Sequence, residues 1–186
     1  MKRSGINVNI RRFKIKDMDA VLDMTKECWS GFSFDQKIES LFGRRGRAWW
    51  EIKRESIKAF LEAHPEWCFV AEINGEIVGY ATYSVDRNRK VGHVLNNAVH
   101  PKWRGRGVGS ALHERVLEEL RNEGMDIAIL VTSVHNVPAR RMYESHGFKV
   151  VWEALYYAKS LKEEAGSIRA KRETKKWTET QHVSEA

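Results

Sequence analysis

From Val99 to Leu112 the chain reads Val-His-Pro-Lys-Trp-Arg-Gly-Arg-Gly-Val-Gly-Ser-Ala-Leu, an apolar strand joined to an amphipathic helix by a loop of glycine and arginine. The first amides of a helix have no partner within it and lie at the positive end of its dipole, so such a loop can bind an anion through main chain alone. Gly105, Gly107 and Gly109 allow close approach of phosphate oxygens, and Arg104 and Arg106 add charge. The ligand implied is a pyrophosphate. It is not held by a P-loop, because no Lys-Ser or Lys-Thr pair follows these glycines. The dinucleotide pattern fails too: counted from Gly105 its last position is Ser110, and counted from Gly107 it is Leu112.

The elements that must position this loop are legible on either side. Val91 to Val99 reads as a strand, stopped or turned by Pro101, which has no amide hydrogen to donate. Val108, Ala111, Leu112, Val116 and Leu120 recur at helical spacing, and Gly124 suits the stop. The helix therefore begins close to Gly107.

Arg104-Gly-Arg-Gly-Val-Gly109, preceded by Ala98-Val-His-Pro101, resembles the [RQ]-x-x-G-x-[GA] acetyl-coenzyme A loop of the Gcn5-related N-acetyltransferase (GNAT) superfamily. Downstream, Asn136-Val-Pro-Ala-Arg-Arg-Met-Tyr143-Glu-Ser-His-Gly147-Phe148 resembles the family's N-x-x-A-x-x-x-Y-x-x-x-G-F segment, in the family's order and separation. The resemblance covers residues of about 8–160 and leaves 161–186 as a tail. It implies an α+β fold, a twisted mixed sheet whose central parallel strands splay apart between flanking helices. It implies acetyl-coenzyme A as cosubstrate, no metal, and transfer of the acetyl group to a primary amine by direct attack. A non-catalytic acyl-coenzyme A binding module is the alternative.

Residue by residue, the resemblance places the coenzyme against Ala98, Val99, Arg104, Gly105, Arg106, Gly107, Val108, Gly109, Ser110, Asn136 and Tyr143. The pantetheine arm would hydrogen-bond like an added strand near Ala98 and Val99. Tyr143 takes the role of general acid to the leaving thiolate, and the Val99 amide that of oxyanion donor. Asn136 either contacts the pantetheine or caps a helix, and Arg140 and Arg141 either assist the phosphates or face solvent. Many relatives carry a carboxylate three or four residues before the Val of the Ala-Val-x-Pro segment; this chain has Leu95 and Asn96 there. The base must then be a water chain, a carboxylate from the N-terminal region, or a histidine such as His135 or His93. His93 is the first choice, because imidazole titrates near neutrality. Tyr156 and Tyr157 resemble paired tyrosines that grip peptide in some N-terminal acetyltransferases, though alternation in a final strand explains them as well. The acceptor is thus a small amine or a protein N-terminus or lysine.

The rest of the chain sets the frame. Its 186 residues suit one domain. No apolar run nears the roughly 20 residues that span a bilayer, and the start lacks a secretory signal's apolar centre, so a cytoplasmic protein without membrane contact is expected. Cys28 and Cys68 have neither metal nor redox spacing and read as core filling. Net charge is +7, of which residues 162–186, with six Lys/Arg and five Asp/Glu, supply +1. Coenzyme phosphates account for part of the excess, so nucleic-acid binding ranks last; a homodimer is allowed. The basic cluster Arg44-Arg45-Gly-Arg47 with Lys53-Arg54 is surface or binding site. Asn7 to Phe13 reads as a strand, Asp17 as the cap of a helix carrying Met18, Val21, Leu22, Thr25 and Cys28, and residues 29–67 as a helical, aromatic region. Trp67–Ile73 and Glu76–Tyr83 form a hairpin through Asn74-Gly75. Ile127–Thr132 reads as a buried parallel strand, about Pro138–Ser145 as a helix, Phe148–Tyr157 as strand material, and the tail as loose or anchored by Trp177.

Overall fold

The computed structural model describes residues 7–162; Trp177 and nearly all of the expected tail lie outside them. The order is β1 (Asn9–Arg12), α1 (Met18–Asp23), α2 (Thr25–Trp29), α3 (Phe34–Phe42), α4 (Trp49–Ala63), β2 (Cys68–Ile73), β3 (Glu76–Asp86), β4 (Val91–Val99), α5 (Val108–Asn122), β5 (Ile127–Ile129) and α6 (Val137–Ser145). The strands form one sheet in the order β1-β2-β3-β4-β5. The first four are antiparallel, and β5 runs parallel to β4 after the α5 crossover. The hairpin falls where Asn74-Gly75 placed it, with both residues at positive φ, 52° and 83°.

Strand β2 is apolar at nearly every position because helices cover both faces of the sheet, so alternation sorts its side chains between two cores. Phe69 and Ala71, with Ala81, Tyr83 and Val94, pack on Val108, Leu112, Val116 and Leu120 of α5. Cys68 and Val70, with Tyr80, pack on Val21, Leu22, Cys28, Ile57 and Leu61 of α1, α2 and α4. Each fully buried aliphatic side chain here is worth about 2 kcal/mol of transfer free energy. Both cysteines are free and buried, as core filling requires.

Three differences from the sequence expectation have physical causes. The helix expected from Asp17 to Cys28 breaks at Met24, whose ψ of −7° ends α1 before α2 begins. Strand β5 stops at Ile129 rather than Thr132, because β4 and β5 pair only over Val91–His93 and Ile127–Ile129 and diverge beyond. Among the described residues no strand is assigned to Phe148–Tyr157: an apolar alternation makes a strand only where a ladder partner exists.

Candidate active site

The glycine-arginine loop leaves β4 through a single 3-10 turn, Pro101–Trp103. Gly105 and Gly107 take φ of +70° and +84°, and Gly107 caps α5. An L side chain is strained in that region, so glycine is what lets the loop deliver the chain to the helix from this direction. Ala111 N–H bonds back to Gly107, and the amides of Val108, Gly109 and Ser110 before it are the helix's unpaired first donors. The first turn holds no acidic residue to compete with a bound anion. Arg106 lies over the Trp103 ring, 5.1 Å from its centroid. Arg104 is engaged otherwise: Nε donates to the Val99 carbonyl at 3.0 Å and a terminal nitrogen to the Cys28 carbonyl at 2.9 Å. It clamps the loop to the end of β4 and to α2.

Beside the loop, β4 presents an open edge. The His100 amide donates to Val78 of β3 at 2.9 Å, and antiparallel alternation then turns the N–H of Val99 away from β3. On that side β5 has already diverged, so the Val99 amide faces the gap between the splayed strands. A bulge precedes it: Thr82 of β3 stands opposite both Leu95 and Asn96. The Thr82 hydroxyl pins the bulge, accepting from the Asn96 amide at 2.9 Å and donating to the Asn96 carbonyl at 3.1 Å.

Past the bulge the pleat resumes and sends consecutive side chains to opposite faces. Asn97 lies on the α5 side, where its Nδ2 donates to the Tyr143 hydroxyl of α6 at 3.0 Å. The phenol's own proton stays free for another acceptor. Tyr143 is 8% exposed, and burial raises its pKa while the Asn97 bond lowers it, the net shift being upward. A phenol held protonated is what proton donation to a thiolate needs. Packed on Tyr143 is His113 of α5, 1% exposed, with ring centroids 5.2 Å apart. His146 and Phe148 stand 5.0 and 5.3 Å from the same imidazole. Neither His113 nitrogen has a hydrogen-bond partner among the described residues. Burial, with the nearby His146 second, pushes its pKa down to about 4.

On the opposite face, Asn96 Oδ1 accepts from Lys53 Nζ of α4 at 2.7 Å. That ammonium lies 3.9 Å from the ring centroid of Trp29, whose Nε1 donates to the Tyr80 hydroxyl at 3.0 Å.

Of the residues expected from sequence, the structure thus gathers Val99, Tyr143 and the first turn of α5 around one gap. Gly109 adjoins it, since a Cβ there would touch Met142 and Val99 at 3.5 and 3.7 Å. Ala98 packs toward the α2 and α4 core. Asn136 precedes α6 without a side-chain cap bond, which leaves its amide available to another partner. Arg140 is engaged with Glu144 and the Val134 carbonyl. His93 is not brought to Tyr143: it sits where β4 still pairs with β5, and four residues of strand from Asn97 are roughly 13 Å. Sequence reasoning missed Asn97 and His113, and took Lys53 only as part of a basic cluster that is surface or binding site. For Lys53 a signal existed, since it lies in register with Trp49 and Ile57 on the buried stripe of α4.

Comparison with known proteins shows the family and the fold. The Acetyltransferase (GNAT) family model matches residues 19–148. An uncharacterised N-acetyltransferase of Archaeoglobus fulgidus is 33% identical over 76% of this chain and 93% of its own length. One of Methanocaldococcus jannaschii is 32% identical over 75% and 77%. The PaiA N-acetyltransferase of Thermoplasma acidophilum, solved with coenzyme A, shares the fold at a TM-score of 0.63, with 17% identity over 77% of this chain and 91% of that one. The splayed sheet and glycine loop are therefore those of an acetyl-coenzyme A-dependent N-acetyltransferase, and the chain belongs to the acetyltransferase (GNAT) family.

Proposed function

We propose that transfer takes place in the gap between β4 and β5, with the coenzyme pyrophosphate on the amides of Val108, Gly109 and Ser110 and the pantetheine along the open edge of β4. The observation that carries this is the Tyr143 hydroxyl, buried, protonated and held by Asn97 two residues from the outward-facing Val99 amide. The neutral acceptor amine attacks the thioester carbonyl carbon, the Val99 N–H takes the hydrogen bond of the developing oxyanion, and the C–S bond breaks as Tyr143 gives its proton to sulfur. The amine loses its own proton to water in the gap. His93, roughly 13 Å along the strand from Asn97, is at most the far terminus of such a chain and not a direct base.

The acceptor is a primary amine on a small molecule or a polypeptide. Relatives named L-amino acid N-acetyltransferase and N-alpha-acetyltransferase 30 stand for two such kinds. The unpaired cysteines support a reducing compartment such as the cytoplasm. Among the described residues no helix is long and apolar enough to cross a membrane.

The test is thiol release from acetyl-coenzyme A against amines, amino acids, polyamines and peptides, with wild-type and Tyr143→Phe protein. Turnover with one acceptor class, reduced about 100-fold in kcat by the substitution at unchanged coenzyme affinity, is expected for loss of a general acid. Equal kcat in the two proteins removes Tyr143 from the mechanism.

A further inference from the structure

Lysine on the buried stripe of an amphipathic helix is out of place unless something pairs with its charge. In α4, Trp49, Ile57 and Leu61 of that stripe are buried, and Lys53 stands between the first two at four-residue spacing. Its ammonium has three donors. One goes to the neutral Asn96 Oδ1 at 2.7 Å, and the Trp29 ring, 3.9 Å away, offers a π face that takes charge but accepts no full hydrogen bond. Among the described residues no carboxylate lies within ion-pair distance of it; Asp35 acts on it only from farther off. Part-buried, held in place and without an anion, this cation stands at the bulge of β4. The next residue of that strand, Asn97, holds the Tyr143 hydroxyl.

We propose that Lys53 recognises the acceptor, and that the acceptor is an amine carrying a carboxylate within a few bonds of its nitrogen, as in a free amino acid or an acidic N-terminal residue. The inference rests on the acetyl-transfer site described above. The carboxylate takes the free donors of Lys53 and thereby sets the amine against the β4 bulge, beside the thioester carbonyl. Trp29 fixes the ammonium from one side, and Asn96 fixes it from another. A carboxylate at position 96 would neutralise this cation; an amide leaves it free for the acceptor. Burial lowers the Lys53 pKa, and an incoming carboxylate reverses that effect, so the pairing favours the charged amine of Lys53.

The experiment compares matched acceptors with and without the acid: L-amino acids against their carboxamides, and peptides beginning with aspartate against those beginning with asparagine. Wild-type protein should favour the acid in kcat/KM by roughly 10- to 100-fold, the worth of a charge-assisted hydrogen bond in a part-buried site. Lys53→Met should bring that ratio near one through the acceptor KM, with the KM for acetyl-coenzyme A unchanged, and Lys53→Glu should invert it. The two arms tell a free amino acid from a peptide terminus. Preference for uncharged amines or polyamines, or an unaltered ratio in Lys53→Met, overturns the assignment while leaving acetyl transfer standing. Silence across the panel with coenzyme still bound overturns both.

Discussion

His113 gives the fold a measurable acid sensitivity. Its imidazole is enclosed by Tyr143, His146 and Phe148, and His146 itself faces Glu114 at 3.4 Å. The folded pKa, about 4, lies below the ordinary 6.5, so the unfolded chain binds a proton here more readily than the folded one. This contribution to stability is complete above pH 6.5, falls as pH drops below it, and levels off below about 4. Integrating the linkage between pH 7 and pH 5 gives a loss of about 2 kcal/mol from this one residue. His113→Leu removes the titrating group and the two unsatisfied nitrogens, so it should not share that loss and should be no less stable at pH 7. The assay is urea unfolding of both proteins at pH 7, 6 and 5, followed by tryptophan fluorescence. With a slope of about 2 kcal/mol per molar urea, the wild-type midpoint should fall by roughly 1 M more than the variant's. Equal pH dependence in the two would refute the reading of His113 as a buried, neutral imidazole.

Other substitutions probe the site directly. Gly107→Ala forces a Cβ onto φ +84°, which should cost about 1 kcal/mol of stability; because the first-turn amides of α5 shift with it, coenzyme A binding measured by calorimetry should weaken as well. Thr82→Val keeps the shape but strips both bonds from the bulge, so it should cost roughly 1–3 kcal/mol. Hydrogen exchange at the Asn96 amide should accelerate with it, and an unchanged rate would mean the hydroxyl does not hold the bulge. The kcat loss in Tyr143→Phe and the acceptor switch in Lys53→Met complete the set.

The glycine loop and the helix start at Gly107 were legible in sequence because they are local. Gly105, Gly107 and the helix start lie within a few residues of one another, and main-chain anion binding depends on that spacing. Tyr143 carried its own flanking pattern. The acceptor half was not legible, because its contacts join distant stretches: Lys53 meets Asn96 across 43 residues and Arg104 meets Cys28 across 76. Arg104, expected among the phosphate ligands, also bonds the carbonyls of Val99 and Cys28, contacts that depend on where α2 ends. His93 looked suited to catalysis by chemistry alone; its distance from Asn97 follows from how far β5 accompanies β4, which strand parity does not reveal. Leu95-Asn96 read as a missing base, whereas in space the pair forms a bulge, and the pleat that resumes there hands Asn96 to one helix layer and Asn97 to the other.

That division has a consequence for how such an enzyme can change its substrate. In the proposed site, what serves the coenzyme is main-chain geometry, from the Val99 amide to the first turn of α5, and most side-chain exchanges there would distort it. What faces the acceptor in that proposed site is a pair of side chains, Trp29 of α2 and Lys53 of α4. Substitution at Trp29 or Lys53 can therefore redirect acceptor choice while the donor machinery stays intact, so donor and acceptor recognition are open to selection, or to engineering, as separate traits.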